Sequence, residues 1–148
     1  MEVQIRHASP DDLPVLEKIE KISFSDPYPR NLLKTLAFTK FGIFLVAEVY
    51  GKIAGYISAI FEESGLASIT SIAVHPNYRR KQIAQKLVSK LIENLKEEEI
   101  IKVKLEVRES NEAAKKLYES FGFKLSHIAP KYYEDGEKAL VMYLSLKT

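Results

Sequence analysis

The stretch with the most chemistry-bearing residues runs from Ser68 to Lys90, SITSIAVHPNYRRKQIAQKLVSK. It opens on Ile69-Thr70-Ser71-Ile72-Ala73-Val74, a β-branched run that reads as a strand. Pro76 and Asn77 stop that strand, and Arg79-Arg80-Lys81 put successive positive charges on the corner that follows. From Ile83 the apolar residues recur every four positions, as Ile83, Leu87, Leu91 and Leu95, with Ala84, Val88 and Ile92 beside them. That spacing marks one face of a helix. The first N–H groups of a helix have no internal partner, and the helix dipole adds partial positive charge there. A strand that passes through a basic turn into a helix start can therefore hold a phosphate-bearing anion. A solvated charge run is the plainer use of the same basic residues.

A second group of candidates lies downstream. In Lys102-Val103-Lys104-Leu105-Glu106-Val107-Arg108 every polar residue falls on one strand face, so the pattern alone reads Glu106 as a solvated strand residue. Asn111 stands where a helix cap is expected. Tyr118 sits between apolar helix positions and reads as a core aromatic with its hydroxyl at the rim. Two aromatic loops, Phe24-Ser25-Asp26-Pro27-Tyr28-Pro29 and Lys131-Tyr132-Tyr133, either pin corners of the fold or offer rings and hydroxyls to a bound peptide.

Arg79-Arg80-Lys81-Gln82-Ile83-Ala84, preceded by Val74-His75-Pro76-Asn77-Tyr78, resembles the acetyl-CoA pyrophosphate loop of the GNAT N-acetyltransferases. That family's pattern is Gln/Arg-x-x-Gly-x-Gly/Ala. Arg79 and Ala84 fit it, and Gln82 stands where the family has glycine. Every residue but proline supplies a backbone N–H, so glycine is not needed as a donor. Its expected role is to relieve crowding by Cβ, and Gln82 is expected to loosen the fit.

Leu105-Glu106-Val107-Arg108-Glu109-Ser110-Asn111-Glu112-Ala113-Ala114, followed by Leu117-Tyr118-Glu119-Ser120-Phe121-Gly122-Phe123, resembles the RimI branch of the same family. Its members are protein N-terminal α-amine acetyltransferases, the ribosomal-protein-alanine enzyme among them. The resemblance implies that Glu106 is the general base, Tyr118 the general acid, and that Asn111 contacts the pantetheine arm of acetyl-CoA. It assigns the cofactor to Ile72, Ala73, Val74, Arg79, Arg80, Lys81, Gln82, Ile83, Ala84, Gln85, Asn111 and Tyr118. It gives the acceptor to Phe24, Tyr28, Tyr132 and Tyr133, and it implies no metal. The acceptor implied is a protein or peptide N-terminus, ribosomal proteins included. A small-molecule amine acetyltransferase or a non-catalytic acetyl-CoA-binding domain on the same fold are the alternatives.

The residue types suit that chemistry. An amine must attack a thioester in its neutral form, so a carboxylate, directly or through water, should take its proton. The departing thiolate needs a proton, which a phenol can supply. The developing oxyanion needs N–H donors, and the end of the Ile72-Ala73-Val74 strand offers backbone ones.

These groups need a frame. At 148 residues and 46% hydrophobic, the chain is expected to be a single domain, 1–148, with a real core. A net charge of +2 gives no argument for nucleic acid or an anionic membrane as partner. Without cysteine there is no disulfide, thiolate nucleophile or zinc–thiolate site. No apolar run approaches membrane-spanning length and the first residues do not open a signal peptide, so a cytoplasmic location is expected.

Val3 and Ile5 mark a first strand, and Ser9-Pro10-Asp11-Asp12 a helix start, with Leu13, Leu16, Ile19 and Ile22 as the buried face. A short helix follows from about Arg30 to Phe38. Strands Ile43–Tyr50 and Ile53–Phe61 are expected to join at Gly51-Lys52. After the central strand and helix come a strand from Ile100 to Val107 and a helix capped by Asn111, with Ala113, Ala114, Leu117 and Phe121 in its stripe. Phe123–Ile128 and Ala139–Leu146 close the chain as strands. The order β-α-α-β-β-β-α-β-α-β-β predicts an α+β fold, a mixed and mostly antiparallel sheet with helices on both faces. It is also the GNAT order, and in that family the two parallel strands splay to admit the pantetheine arm.

Overall fold

The computed structural model describes residues 2–79 and 82–146. Its seven strands are β1 (Val3–His7), β2 (Gly42–Val49), β3 (Lys52–Phe61), β4 (Leu66–Val74), β5 (Lys102–Arg108), β6 (Lys124–Ala129) and β7 (Ala139–Ser145). They form one sheet in the order β1-β2-β3-β4-β5-β7-β6. All neighbours run antiparallel except β4 and β5. The α-helices are α1 (Leu13–Ser23), α2 (Arg30–Phe38), α3 (Ile83–Glu97) and α4 (Glu112–Ser120). None of the described helices is long and apolar enough to cross a membrane.

Strand alternation sends side chains to two separate cores. Ile43, Leu45, Ala47 and Val49 of β2 join Ile83, Leu87, Val88, Leu91 and Leu95 of α3 on one face, together with Tyr118 of α4. Phe44 and Val46 of the same strand join Leu13, Leu16, Ile19, Leu33 and Leu36 of α1 and α2 on the other, with Tyr56 and Ala73. The sheet is thus covered on both faces, as the element order predicts.

Three expectations are corrected. Ile22 is 55% exposed, and the fourth buried position of α1 is Glu20, 2% exposed. Helical turning explains it: at 3.6 residues per turn, position 20 lies within about 20° of Leu13 and position 22 about 180° away. The β2–β3 turn falls on Tyr50-Gly51, one residue earlier than expected, with φ of 51° and 77°. A two-residue hairpin turn of this hand needs positive φ at both positions, and Gly51 supplies the second without strain. Ala113 is exposed and stands outside the α4 stripe, whose fully buried member is Tyr118.

Ser9 and Asp12 close the expected capping box, the Asp12 carboxylate accepting from the Ser9 N–H at 2.7 Å. Arg6 then grips Asp12 through both guanidinium ends, at 2.8 and 2.9 Å, and holds its carboxyl below the usual range. The helix start is thereby tied to β1.

β3 and β4 approach so closely that a Cβ on Gly55 would lie 2.6 Å from the Ala73 carbonyl oxygen. Gly55→Ala is expected to cost about 1–3 kcal/mol, the usual penalty of overpacking. Denaturant unfolding measures it, and an unchanged midpoint would show that the two strands separate freely.

Candidate active site

β4 and β5 pair only at Leu66↔Lys102, Ala67↔Val103 and Ser68↔Lys104, although β4 continues to Val74 and β5 to Arg108. Just past the last pair, Thr70 is an extra residue in β4, facing no partner between Ser58↔Ser71 and Ala59↔Ile69. A bulge bends its strand and sharpens the twist, so β4 turns away from β5. Side chains pin the bulge. Thr70 Oγ1 donates to the Ser58 oxygens, at 2.8 Å to Oγ and 3.2 Å to the carbonyl, and the Thr70 carbonyl accepts from the Tyr28 hydroxyl at 3.1 Å.

The parted strands flank a cavity of about 380 Å³. Its wall includes Ile69 to Ile72 of β4, Leu105 to Arg108 of β5, Asn111, Ala114 and Tyr118, and from the α1–α2 side Glu20, Phe24 and Tyr28. Tyr133 of the β6–β7 loop completes it. Leu105 and Val107 point into the α3–α4 core. Alternation therefore turns Glu106 and Arg108 to the opposite face. The cavity passes through the sheet, with Tyr118 reaching it from one face and Glu106 from the other.

Tyr118 is 4% exposed and packs edge-on against Phe123, ring centroids 5.5 Å apart. Burial first, then the neighbouring Tyr133, holds its phenol well above the ordinary pKa, so it stays protonated at neutral pH. The core-aromatic and cavity readings of Tyr118 are both met by this one placement. Glu106 is half-buried, with Lys104 Nζ 3.6 Å from its Oε1. Asn111 caps α4, its Oδ1 accepting from the Ala114 N–H at 3.1 Å, and it lines the cavity as well.

The Ile72-Ala73-Val74 segment divides its duties. His75 N–H bonds back to Ala54 on the β3 side, at 2.7 Å. Alternation then aims the N–H groups of Ile72 and Val74 at the gap. Ala73 is buried in the α1–α2 core and its side chain stays away from the cavity.

A second concavity, about 360 Å³, lies at the start of α3 and is lined by Val74, Tyr78, Arg79, Gln82, Ile83, Ala84 and Gln85. Among the described residues the first amide in the α3 ladder is Lys86, bonded to the Gln82 carbonyl at 3.1 Å. Among those same residues the N–H groups of Ile83, Ala84 and Gln85 have no partner, which leaves them as the helix-start donors that an anion needs. Ile83 contributes only backbone here, since its side chain is 1% exposed in the core. Arg79 Nε donates to the Val74 carbonyl at 3.3 Å, which folds the turn against the end of β4. Arg80 and Lys81 lie outside the described residues. His75 caps the short turn after β4, its Nδ1 accepting from Asn77 N–H at 3.1 Å.

Gln82 stands at φ 60°, ψ 24°, in the left-handed region. The expected reason for glycine at this position, crowding by Cβ, gives way to a conformational one: left-handed backbone is what glycine adopts without cost.

Of the residues expected to take the acceptor, Phe24, Tyr28 and Tyr133 line the cavity, and Tyr132 lies outside its wall, 52% exposed and edge-on to Tyr133 at 4.9 Å. Burial, then Tyr132, pushes the Tyr133 phenol up to about 12. Two charged wall residues, Arg108 and Glu20, are given no site role by the sequence reading. Arg108 lies 4.0 Å from the Tyr133 ring centre and donates to Asp135 at 2.9 Å and Glu137 at 3.0 Å, so it holds the β6–β7 loop. Its position two residues from Glu106 on an alternating strand is the signal that places it on the same face. Glu20 is the other, legible from its seven-residue spacing to Leu13.

Residues 13–123 match the acetyltransferase (GNAT) family. The chain belongs to the GNAT acetyltransferases. This GNAT is 36% identical over 155 residues to the N-terminal acetyltransferase A complex catalytic subunit NAA10 of Arabidopsis thaliana, covering 98% of this chain and 79% of that one. It is 32% identical over 140 residues to the ribosomal protein bS18-alanine N-acetyltransferase of Escherichia coli (strain K12), covering 91% and 92%. The crystal structure of the ribosomal-protein-S18-alanine N-acetyltransferase from Escherichia coli superposes with a TM-score of 0.91 at 29% identity, covering 99% of this chain and 96% of that one. GNAT acetyltransferases use acetyl-CoA. The parted strands and the donor-rich α3 start suit that cosubstrate: one concavity offers amides to phosphates, and the other a slot through the sheet.

Gln82→Gly should raise stability by about 1 kcal/mol or more, the cost of left-handed backbone for a residue with Cβ. Acetyl-CoA affinity should hold or improve. Chemical denaturation and calorimetric titration test the pair, and a large loss of affinity would make the Gln82 side chain itself a ligand.

Proposed function

We propose that this GNAT acetylates the α-amine of a protein or peptide N-terminus in the cytoplasm, with acetyl-CoA as donor and direct attack of the amine on the thioester. The observation that carries this reading is the cavity through the sheet, with Glu106 on one face and Tyr118 on the other. The likeness to relatives named for N-terminal and bS18-alanine acetylation supports it, and a ribosomal-protein N-terminus is one acceptor in view.

In this reading the chain's residues divide the work. The amides of Ile83, Ala84 and Gln85, with Arg79, hold the phosphates at the α3 start. Arg80 and Lys81 add charge from the same turn in the sequence. Asn111 and the Ile72–Val74 edge flank the pantetheine arm. Phe24, Tyr28 and Tyr133 pack on the first residues of the acceptor, with Tyr132 at the rim. The nitrogen forms its bond to the acetyl carbon while Glu106, directly or through water, takes the amine proton. One N–H of the Ile72–Val74 edge donates to the charge developing on the acetyl oxygen, and the other, too far along the strand to reach the same atom, is left for the pantetheine arm. The carbon–sulfur bond breaks, and Tyr118, kept protonated by burial, donates to the leaving sulfur.

A single carboxylate base suits an α-amine. With reference pKa values of about 8 and 10.4, deprotonation near pH 7 costs roughly 1 kcal/mol for an α-amine and 4–5 for a lysine.

Incubation with acetyl-CoA and a panel of N-terminal peptides, read by mass spectrometry with fragment mapping, tests the assignment. Acetyl on the α-nitrogen is the expected product. Acetylation confined to lysine side chains or free small amines would refute it. Glu106→Gln keeps the shape but removes the base, so turnover should fall by about 10²–10⁴. Acetyl-CoA affinity should hold, and part of the rate should return as pH rises and solvent supplies neutral amine. Tyr118→Phe should also slow turnover, without that recovery. Near-normal turnover in Glu106→Gln would return Glu106 to the solvated role its strand pattern describes.

A further inference from the structure

Glu20 is a carboxylate in the wall of the cavity, 2% exposed, which the acetyl-transfer steps do not use. Its oxygens have different partners. Oε1 accepts from the Tyr56 hydroxyl, and Oε2 accepts from the Tyr28 backbone N–H at 2.8 Å. Tyr28 lies in the loop between α1 and α2, whose Phe24 and Tyr28 face the cavity. From the same residue the Tyr28 hydroxyl bonds to the Thr70 carbonyl, freed by the β4 bulge, at 3.1 Å. Tyr56 is fully buried, stacks on Phe44 with centroids 5.2 Å apart, and its hydroxyl oxygen lies 3.3 Å from Ser71 Oγ. Burial first, then the bond to Glu20, raises the Tyr56 phenol far above its ordinary value, so it remains a donor.

We propose that Glu20 is a positioning residue for the acceptor: its carboxylate, braced by Tyr56, holds the Tyr28 amide and so fixes the α1–α2 loop against the bulged end of β4. The inference rests on the reading of this cavity as the acceptor site. A buried carboxylate is costly, and hydrogen bonds to both of its oxygens offset that cost only while the loop stays docked. Removing the acceptor oxygens leaves the Tyr28 N–H unpaired, and the loop gains by moving out to water. The loop carries Phe24 and Tyr28, so peptide binding should suffer. The phosphate-binding start of α3 is built from other residues and should not.

The conservative replacement makes this testable. In Glu20→Gln the amide oxygen can still accept from Tyr28 N–H. The amide nitrogen then donates to the Tyr56 oxygen, and the Tyr56 hydroxyl turns to Ser71. Glu20→Leu fills the volume with no acceptor, and Glu20→Ala removes both volume and acceptor.

Peptide KM, acetyl-CoA KM and kcat of each variant are to be measured on an N-terminal peptide. The expected result is a rise in peptide KM of about tenfold or more in the Leu and Ala variants, the worth of a lost charged hydrogen bond. Acetyl-CoA KM should not move, and Glu20→Gln should recover most of the loss. Unchanged peptide KM in the Leu variant would overturn the proposal. So would an equal fall of kcat in all variants, which would put Glu20 in the proton transfer itself. If neither the Leu nor the Ala variant folds, Glu20 is a residue of the fold alone and the proposal fails. Hydrogen exchange separates this from the function assignment: the Tyr28 amide should lose protection in Glu20→Leu while the α3 ladder keeps its own. Should the wild-type protein acetylate no N-terminal peptide, the function assignment fails, and the exchange result still decides whether Glu20 holds the loop.

Discussion

The parting of two parallel strands is the constraint on which the rest of this molecule depends. β4 and β5 share a ladder through Ser68 and Lys104 and then diverge, each held only by its other neighbour: β4 by β3 to Val74, β5 by β7 to Arg108. Unpaired backbone groups inside a protein cost about 1–3 kcal/mol each, so a sheet does not open without compensation. Some of that compensation is local. Tyr28 takes up the Thr70 carbonyl, and Thr70 itself bonds across to Ser58, so the bulge that opens the gap is closed on its own side. The amides that remain along the Ile72–Val74 edge are left for a ligand, which is a reason for the gap to exist.

A gap through the sheet gives one cavity two chemically different ends. The α3–α4 face contributes Tyr118, packed on Phe123 and dry enough to stay protonated. The other face carries charge: Lys104, Glu106 and Arg108 alternate along β5, and Asp26 stands on the opposite wall. Loops on that face cannot be held by burial alone, and each is tied by an ionisable side chain. Arg108 grips the β6–β7 loop through Tyr133, Asp135 and Glu137. Glu137 in turn accepts from Ser110 N–H at 2.8 Å, and the Ser110 hydroxyl, then that N–H, with Arg108 behind them, hold its carboxyl below the usual range. Glu20 does the equivalent on the α1–α2 side through Tyr28.

Much of this frame could be read from periodicity, because burial of a face is a property that spacing records. The α3 stripe of Ile83, Leu87, Leu91 and Leu95 is buried throughout, and the α2 span agrees to the residue. Periodicity misled where a charged residue held a core position. Hydrophobicity favours Ile22 and helical turning favours Glu20, and the buried residue is Glu20. The β4–β5 divergence was not legible from the residues alone, since it depends on one bulged residue and on twist accumulated across the sheet. Gln82 is a third kind of case. The motif pointed to glycine, but only the backbone angle shows that handedness is what glycine serves there. The hold of Arg108 on the β6–β7 loop is not legible for a further reason: its partners Asp135 and Glu137 lie far along the chain, in a loop without periodic signal.

Topology also decides which helix can take an anion. β4 and β5 are parallel and each is followed by a helix, so α3 and α4 both begin at the carboxyl ends of the strands, beside the gap. Both bring helix-start amides and partial positive charge to that edge. They differ in how those amides are spent. Asn111 caps α4 and engages the Ala114 N–H with its own side chain, so that start is partly closed before any ligand arrives. Gln82 occupies the same position on α3 with left-handed backbone, and among the described residues neither its side chain nor any other group engages the first amides. α3 is also the longer helix, 15 residues against 9, and the basic turn of the sequence precedes it. The asymmetry favours α3 over α4 as the proposed phosphate site and leaves the start of α4 to shape the slot. A strained cap is then part of the design of the phosphate site: a side-chain cap at position 82 would satisfy the helix and occupy the donors that an anion requires.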